Sequence, residues 1–269
     1  MRPNRVYSLV KQVYSFVKQC FCRTYNWQGV YASFGAAEPE GAGFEGDAWA
    51  DGTVDLARNA LIECQENFIP DTAKGDNILL GFLVGLLANE KRAIRILDFG
   101  GGAGVSYIYT SAVIGGNIPL DYHVVESSAV AAKACNIFPG KKDISFATSV
   151  PKHLGALDIV YAQTSLQYVE DSDAVLEQLA CLAPRFFLFS KLSAGECPDF
   201  VTTQVNVPGC RIAYKFLNLP NFISKMQSLG YILRFKSSAQ NRLDMANFPA
   251  THRIPFSCNL LFERELVGQ

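Results

Sequence analysis

The chain has 269 residues, of which 49% are hydrophobic and 18% charged, and a formal net charge of −1. That is enough apolar material for one large domain, or a core domain with an appendage, and it excludes wholesale disorder. A charge this close to zero argues against a general nucleic-acid binder, which needs a basic footprint.

The chain opens with a basic, amphipathic stretch. Val6, Leu9, Val10, Val13, Phe16 and Val17 recur at helical spacing. Arg2, Arg5, Lys11, Lys18 and Arg23 all precede the first acid, Glu38. The lysines interrupt any apolar core of a signal peptide. The helix is expected to dock on the body of the protein, with a second reading in which it touches an anionic membrane surface. The segment "YNWQGVYASFGAAEPEGAGFEGDAW" follows, rich in aromatic residues and glycine. Its turn residues predict an ordered loop or lid rather than a regular element. Helices are expected from about Val54 to Cys64 and from Asp76 to Asn89, the second capped by Asp76. Its apolar run, Ile78 to Ala88, falls short of the roughly 20 residues that a membrane span takes.

From about residue 91 the texture changes. Seven β-rich runs appear: "AIRILDFG", "LDYHVVES", "DISFATSV", "LDIVYAQT", "RFFLFSKL", "YILRFKSS" and "FSCNLLFERE". Helical stretches separate most of them, which predicts a Rossmann-like α/β fold with a mostly parallel sheet covered on both faces. The last two runs have no full helix between them, so they are expected to pair antiparallel. Residues 1–90 then form a helical cap and aromatic lid, and residues 91–269 the α/β domain. The eight cysteines include no C-x-x-C pair, which disfavours structural zinc; they read as reduced, mostly buried thiols of a cytoplasmic protein.

The first run ends in Asp98 and then Gly100, Gly101, Gly102 and Gly104. A phosphate-cradling Walker loop needs a lysine after its last glycine, and none follows Gly104. A dinucleotide fingerprint needs a third glycine at 105 or 107, where Val105 and Tyr107 stand. What fits is D-x-G-x-G-x-G. With Glu126 about 20 residues further on, at the end of the next run, the pattern suits a nucleoside whose ribose diol meets an acid.

This pattern resembles the first motif of class I S-adenosylmethionine-dependent methyltransferases. Together with "NWQGVYASF", "SLQYVED" and "TTQVN", the chain is similar over roughly residues 25–265 to a small group of bacterial proteins assigned as methyltransferases. These share a W-x-G-x-Y-x-S-F segment and an L-Q-Y turn. The resemblance implies S-adenosylmethionine as cofactor. Asp98 would serve its ammonium side, directly or through water, and Gly100, Gly101, Gly102 and Gly104 would give close backbone approach. Glu126 would take the ribose hydroxyls, Thr148 and Ser149 the adenine, and Gln163 would join them. No Asn-Pro-Pro-Tyr element of base methylation is present, so a small or medium-sized hydroxyl-bearing acceptor is expected: a sugar, glycolipid precursor or secondary metabolite. The alternatives are a catalytically silent cofactor-binding module and, more weakly, an NAD(P)-dependent oxidoreductase.

Methyl transfer from a sulfonium asks the protein mainly for alignment, with a base where the acceptor is a hydroxyl. No metal-ligand spacing is seen. Trp27 and Tyr31, with Phe34, are candidate lid aromatics. Gln167, Tyr168, Lys191, Gln204 and Arg253 are candidate acceptor contacts, with Asn206 and Tyr214 near them. His123 and His153 read as structural or solvent-facing. His252 is the histidine placed where a base could sit, and Tyr168 is the second catalytic candidate.

Overall fold

The computed structural model describes residues 25–66, 78–88, 92–115 and 118–265. The expected amphipathic start and Asp76 lie outside them, as do Cys20 and Cys22.

Five apolar runs form the parallel heart of a seven-stranded sheet. They are β2 (Ile94–Phe99), β3 (Leu120–Val125), β4 (Ile144–Ala147), β5 (Ile159–Gln163) and β6 (Phe186–Leu192). β2 lies between β3 and β5, with β4 beyond β3 and β6 beyond β5, all parallel. Alternation along each strand sends side chains to opposite faces. Ile94, Ile96, Tyr122, Val124, Ile159 and Tyr161 enter one core cluster. Leu97, Val160, Phe187 and Phe189 enter another. Helices α1 (Asp47–Glu66), α2 (Leu79–Leu87), α3 (Val105–Val113) and α4 (Ser128–Ala134) accompany the first cluster. Helices α5 (Ser172–Ala180) and α6 (Leu219–Ser228) supply Leu176, Leu179, Phe222 and Met226 to the second. Each such fully buried side chain contributes about 1.5–3 kcal/mol, so apolar runs covered on both sides are what this sheet requires.

The sheet closes with β10 (Tyr231–Arg242) and β11 (Phe256–Arg264). They pair antiparallel, as expected, and β11 also runs antiparallel to β6. The full order is β10-β11-β6-β5-β2-β3-β4.

A second sheet departs from expectation. β1 (Trp27–Tyr31), β8 (Phe200–Gln204), β9 (Ile212–Asn218) and the two-residue β7 (Ala194–Gly195) pair in the order β1-β8-β9-β7. The segment read as a loop therefore opens with a strand. Local composition misses it because its partner lies far along the chain, with Trp27 opposite Gln204. A register shift between Gln28 and Tyr31 accommodates Gly29, whose φ is +79°. Trp27, Phe200, Tyr214, Phe216, Phe248 and Ile254 fill the core under this sheet.

Helix α1 is also longer than the expected Val54–Cys64. Among the described cysteines only Cys197 and Cys258 are buried, whereas Cys135 and Cys181 are exposed, so the thiols are not mostly buried. No described helix is long and apolar enough to cross a membrane.

Candidate active site

A cleft of about 420 Å³ opens at the carboxyl ends of β2, β3, β4 and β5. Gly100 and Gly102 form one wall, Glu126 and Thr148 another, and Gln163, Thr164 and Ser165 the floor towards β5. The glycine loop is shaped by close packing. Gly100 has φ +70°, and its N–H donates to Val125 O at 2.8 Å. A Cβ there would overlap the Ser165 Cβ, and the Ser165 hydroxyl in turn donates to Phe99 O at 2.6 Å. Gly102 has φ +58°, and a Cβ would come within 2.9 Å of Thr53 Cγ2 on α1. Only glycine combines that backbone with that proximity. Gly104 is the N-cap of α3 with no side-chain cap, so the backbone N–H groups of the first turn keep their capacity for an anion.

Asp98 is 1% exposed and lines no wall of the cleft. It lies behind the loop, where a Cβ on Gly101 would overlap its carboxylate. Tyr122 Oη donates to it at 2.7 Å. Burial raises its pKa to about 7; the Tyr122 hydrogen bond opposes this and the Glu126 charge adds to it. The carboxylate thus stands behind the glycine loop and not on the cleft wall. Glu126 follows β3 on the cleft wall and accepts from the N–H of Ser127, while its own N–H donates to Ala147 O at 2.9 Å. Thr148 lines the cleft; Ser149 does not. Gln163 Oε1 accepts from Tyr161 Oη at 2.6 Å.

The aromatics at the cleft come from the far end of the segment expected to form a lid, not from Trp27, Tyr31 or Phe34. Phe44 and Trp49 cover the cleft, with Phe44 edge-on to Trp49 at 4.7 Å and to Tyr168 at 4.6 Å. The short turn Gly43–Glu45 and the start of α1 carry them. The Ser127 hydroxyl, which caps α4, also reaches Phe44 O at 3.2 Å and ties the lid to the end of β3. Composition marks the whole aromatic segment alike and does not tell "GFEGDAW" from the W-x-G stretch. Tyr31 and Phe34 pack instead against Ala37, Val201 and Ala213 under the small sheet.

A second cavity, about 280 Å³, adjoins the first and shares Thr164 and Tyr168 with it. Trp27, Lys191, Ser193 and Tyr214 line it from the small sheet and β6. The other expected acceptor contacts lie behind it. Gln167 is fully buried, and its Nε2 donates to Lys191 O at 2.8 Å. Gln204 Oε1 accepts from Tyr168 Oη at 2.8 Å, and its Nε2 donates to Asn206 Oδ1 at 2.7 Å. Arg253 is turned away: its guanidinium clamps Phe248 O at 2.7 Å and Ala246 O at 2.9 Å.

His252 lines neither cavity. Its ring stands edge-on to Phe200 at 5.0 Å, and Nδ1 meets Thr251 Oγ1 at 3.0 Å. The ring thus packs on the core of the small sheet, away from both cavities. Tyr168 is at the junction of the cavities; burial raises its phenol above the ordinary range, and its Oη donates to Gln204. His123 bridges Asp121 and Ser145 within the sheet. Among the described residues no cluster of His, Cys, Asp and Glu could hold a metal ion.

The strand order, the lone reversed strand and the glycine turn after β2 define a class I methyltransferase fold. No protein-family model matches the chain, and no curated protein matches it. Solved structures do. A protein from Listeria monocytogenes assigned as an S-adenosylmethionine dependent methyltransferase is 12% identical; the match covers 65% of this chain and 92% of that one, with a TM-score of 0.50. The protein assigned as a methyltransferase in complex with the Trm112 methyltransferase activator of Haloferax volcanii is 14% identical, over 84% of this chain and 98% of that one, with a TM-score of 0.52. At such identities the likeness is one of fold.

Proposed function

We propose that the chain is an S-adenosylmethionine-dependent methyltransferase acting on an oxygen of a small acceptor. The observation that carries this reading is the pair of cavities joined at Thr164 and Tyr168, which offers room for a cofactor beside a second molecule. The methyltransferase assignments of the Listeria and Haloferax proteins support it.

The residues present fit the cofactor. Glu126 would accept from the ribose hydroxyls, Gly100 and Gly102 would allow close approach, and the N-terminus of α3 would favour the carboxylate. Thr148 stands where an adenine edge would lie, and Phe44 and Trp49 would cover the nucleoside and exclude water. When bound, the cofactor supplies a sulfonium-activated methyl group. Thr164 and Tyr168 form the passage, and the chain aligns the acceptor for in-line displacement. Asp98 acts from behind the loop, where its carboxylate favours the cationic ligand through space.

Calorimetry with S-adenosylmethionine and S-adenosylhomocysteine, followed by transfer of a labelled methyl group to a small-molecule acceptor panel, tests the reading. Both ligands are expected to bind, and Glu126→Gln to weaken them about 10- to 30-fold, the loss of about 1.5–2 kcal/mol from hydrogen bonds to a charged group. An intact, folded protein that binds neither ligand would overturn the proposal.

A further inference from the structure

Helix α2 has no polar side chain: its sequence is LLGFLVGLL. A helix apolar on every side is ordinarily buried on every side. α2 is covered on one side only. Leu80, Leu83, Val84 and Leu87 enter the core cluster that α1 and α3 share. Phe82 is 59% exposed and Leu86 78%. These two stand one turn apart, at i and i+4, and the exposed Gly85 lies between them on the same side.

The two glycines of α2 divide along the same line. Glycine inside a helix is destabilising relative to alanine, so each position asks for a reason. At Gly81 the reason is a neighbour: a Cβ there would stand 3.0 Å from Val113 of α3. At Gly85 a Cβ would meet nothing within 4 Å among the described residues. Bare backbone flanked by Phe82 and Leu86 makes a notch into which a second helix can pack closely.

We infer that this outer face of α2 is a docking surface, and that its occupant is the amphipathic start of the chain itself, residues 6–17. Pattern, length and charge match. Val6, Leu9, Val10, Val13, Phe16 and Val17 recur at three- and four-residue spacing, so a helix there carries one apolar stripe that needs a surface to cover it. Residues 6–17 as a helix would be about 18 Å long and α2 is about 14 Å, so the stripe spans the face. Arg2, Arg5, Lys11, Lys18 and Arg23 give residues 1–24 a basic polar side without an acid. α1, which packs on α3 as α2 does, carries Asp47, Asp51, Asp55, Glu63 and Glu66 against Arg58. Lys133 answers Asp47 and Asp51, and the excess is still acidic. Opposite charge thus draws the segment towards this layer of helices. Covalent attachment adds an effective concentration that a separate molecule lacks.

Cleavage of the full chain by endoproteinase Lys-C, read by mass spectrometry, tests this. Lys11 and Lys18 should be cut at least about ten-fold more slowly than in a synthetic peptide of residues 1–24. Phe82→Gln/Leu86→Gln and, separately, Gly85→Leu alter only the outer face, and each should remove most of that protection while cooperative thermal melting is kept. Parent protein cut as fast as the peptide, or protection that both variants keep, overturns the inference. So does a response at Lys74 in place of Lys11 and Lys18, which gives the face to residues 67–77. Light scattering and vesicle sedimentation cover the other occupants. A dimer that Phe82→Gln/Leu86→Gln dissociates gives the face to a second copy. Sedimentation with phosphatidylserine vesicles that the same variant abolishes gives it to a membrane surface. Either result overturns the inference.

Discussion

The large and small sheets flank two cavities that join at Thr164 and Tyr168, and they are built by different rules. In the large sheet each central strand is an apolar run buried on both faces, and its covering helices come from the stretches beside it in sequence. In the small sheet β1 and β8 join segments with Trp27 opposite Gln204, and Trp27 is held besides by Asn247 Nδ2, which donates to its carbonyl at 2.7 Å. The cleft proposed for the cofactor belongs mainly to the first sheet, and the cavity proposed for the acceptor leans on the second. A locally encoded frame thus carries the general half of the site, and long-range pairing builds the half that would set specificity.

That division can be broken by substitution. Phe216 is fully buried at the centre of the small sheet's core. Phe216→Ala is expected to cost about 3–5 kcal/mol of stability in denaturant unfolding. Calorimetry below the unfolding transition should find S-adenosylhomocysteine affinity within about two-fold of the parent; a collapse of that affinity would show the two halves to be one unit. Gly100→Ala acts in reverse. The new Cβ overlaps Ser165 at a positive φ, so cofactor affinity should fall about 100-fold, near 2.7 kcal/mol, with a smaller loss of stability.

A subtler probe of the large sheet is pH. Asp98 in the folded chain has a pKa raised from 3.8 to about 7, chiefly by burial. Its contribution to stability is therefore full below the unfolded pKa and is lost as pH rises through about 7. Thermal melts of Asp98→Asn should gain on the parent between pH 5 and pH 8, by an amount on the order of a few kcal/mol at most. S-adenosylmethionine, carrying net positive charge, favours the ionised form and should bind more tightly as pH rises towards 7. A flat difference between the two melts would show that Asp98 is ionised throughout. The smallest effect is expected at His252. His252→Ala should change methyl transfer by less than about two-fold and stability by less than about 1 kcal/mol, since its ring only packs on Phe200. A large loss of turnover would return it to the site.

Legibility followed the same line. Asp98, the four glycines and Glu126 could be read as a cluster because a strand end, its turn and the next strand end are neighbours in any parallel sheet. The role of Asp98 could not: whether a strand-end acid faces the ligand or the core depends on Tyr122 and Gly101 beside it. Lys191 was legible as a strand-end cation, but Gln167 looked like a contact and proved to be the clamp on Lys191's carbonyl. His252 and Arg253 lie in a loop, and sequence gives no direction to a loop side chain.

The order of apolar runs, their helical spacers and the spacing of glycines and acids determined by themselves a mostly parallel sheet with a glycine-walled cleft at its carboxyl edge, because those features depend on local periodicity and on burial from both faces. Only the tertiary structure decided which aromatics close the cleft, that Trp27 belongs to a second sheet, and that Lys191 shares a cavity with it. Those outcomes rest on pairings between distant segments and on backbone conformations held by buried side chains, and no local pattern of residues encodes either.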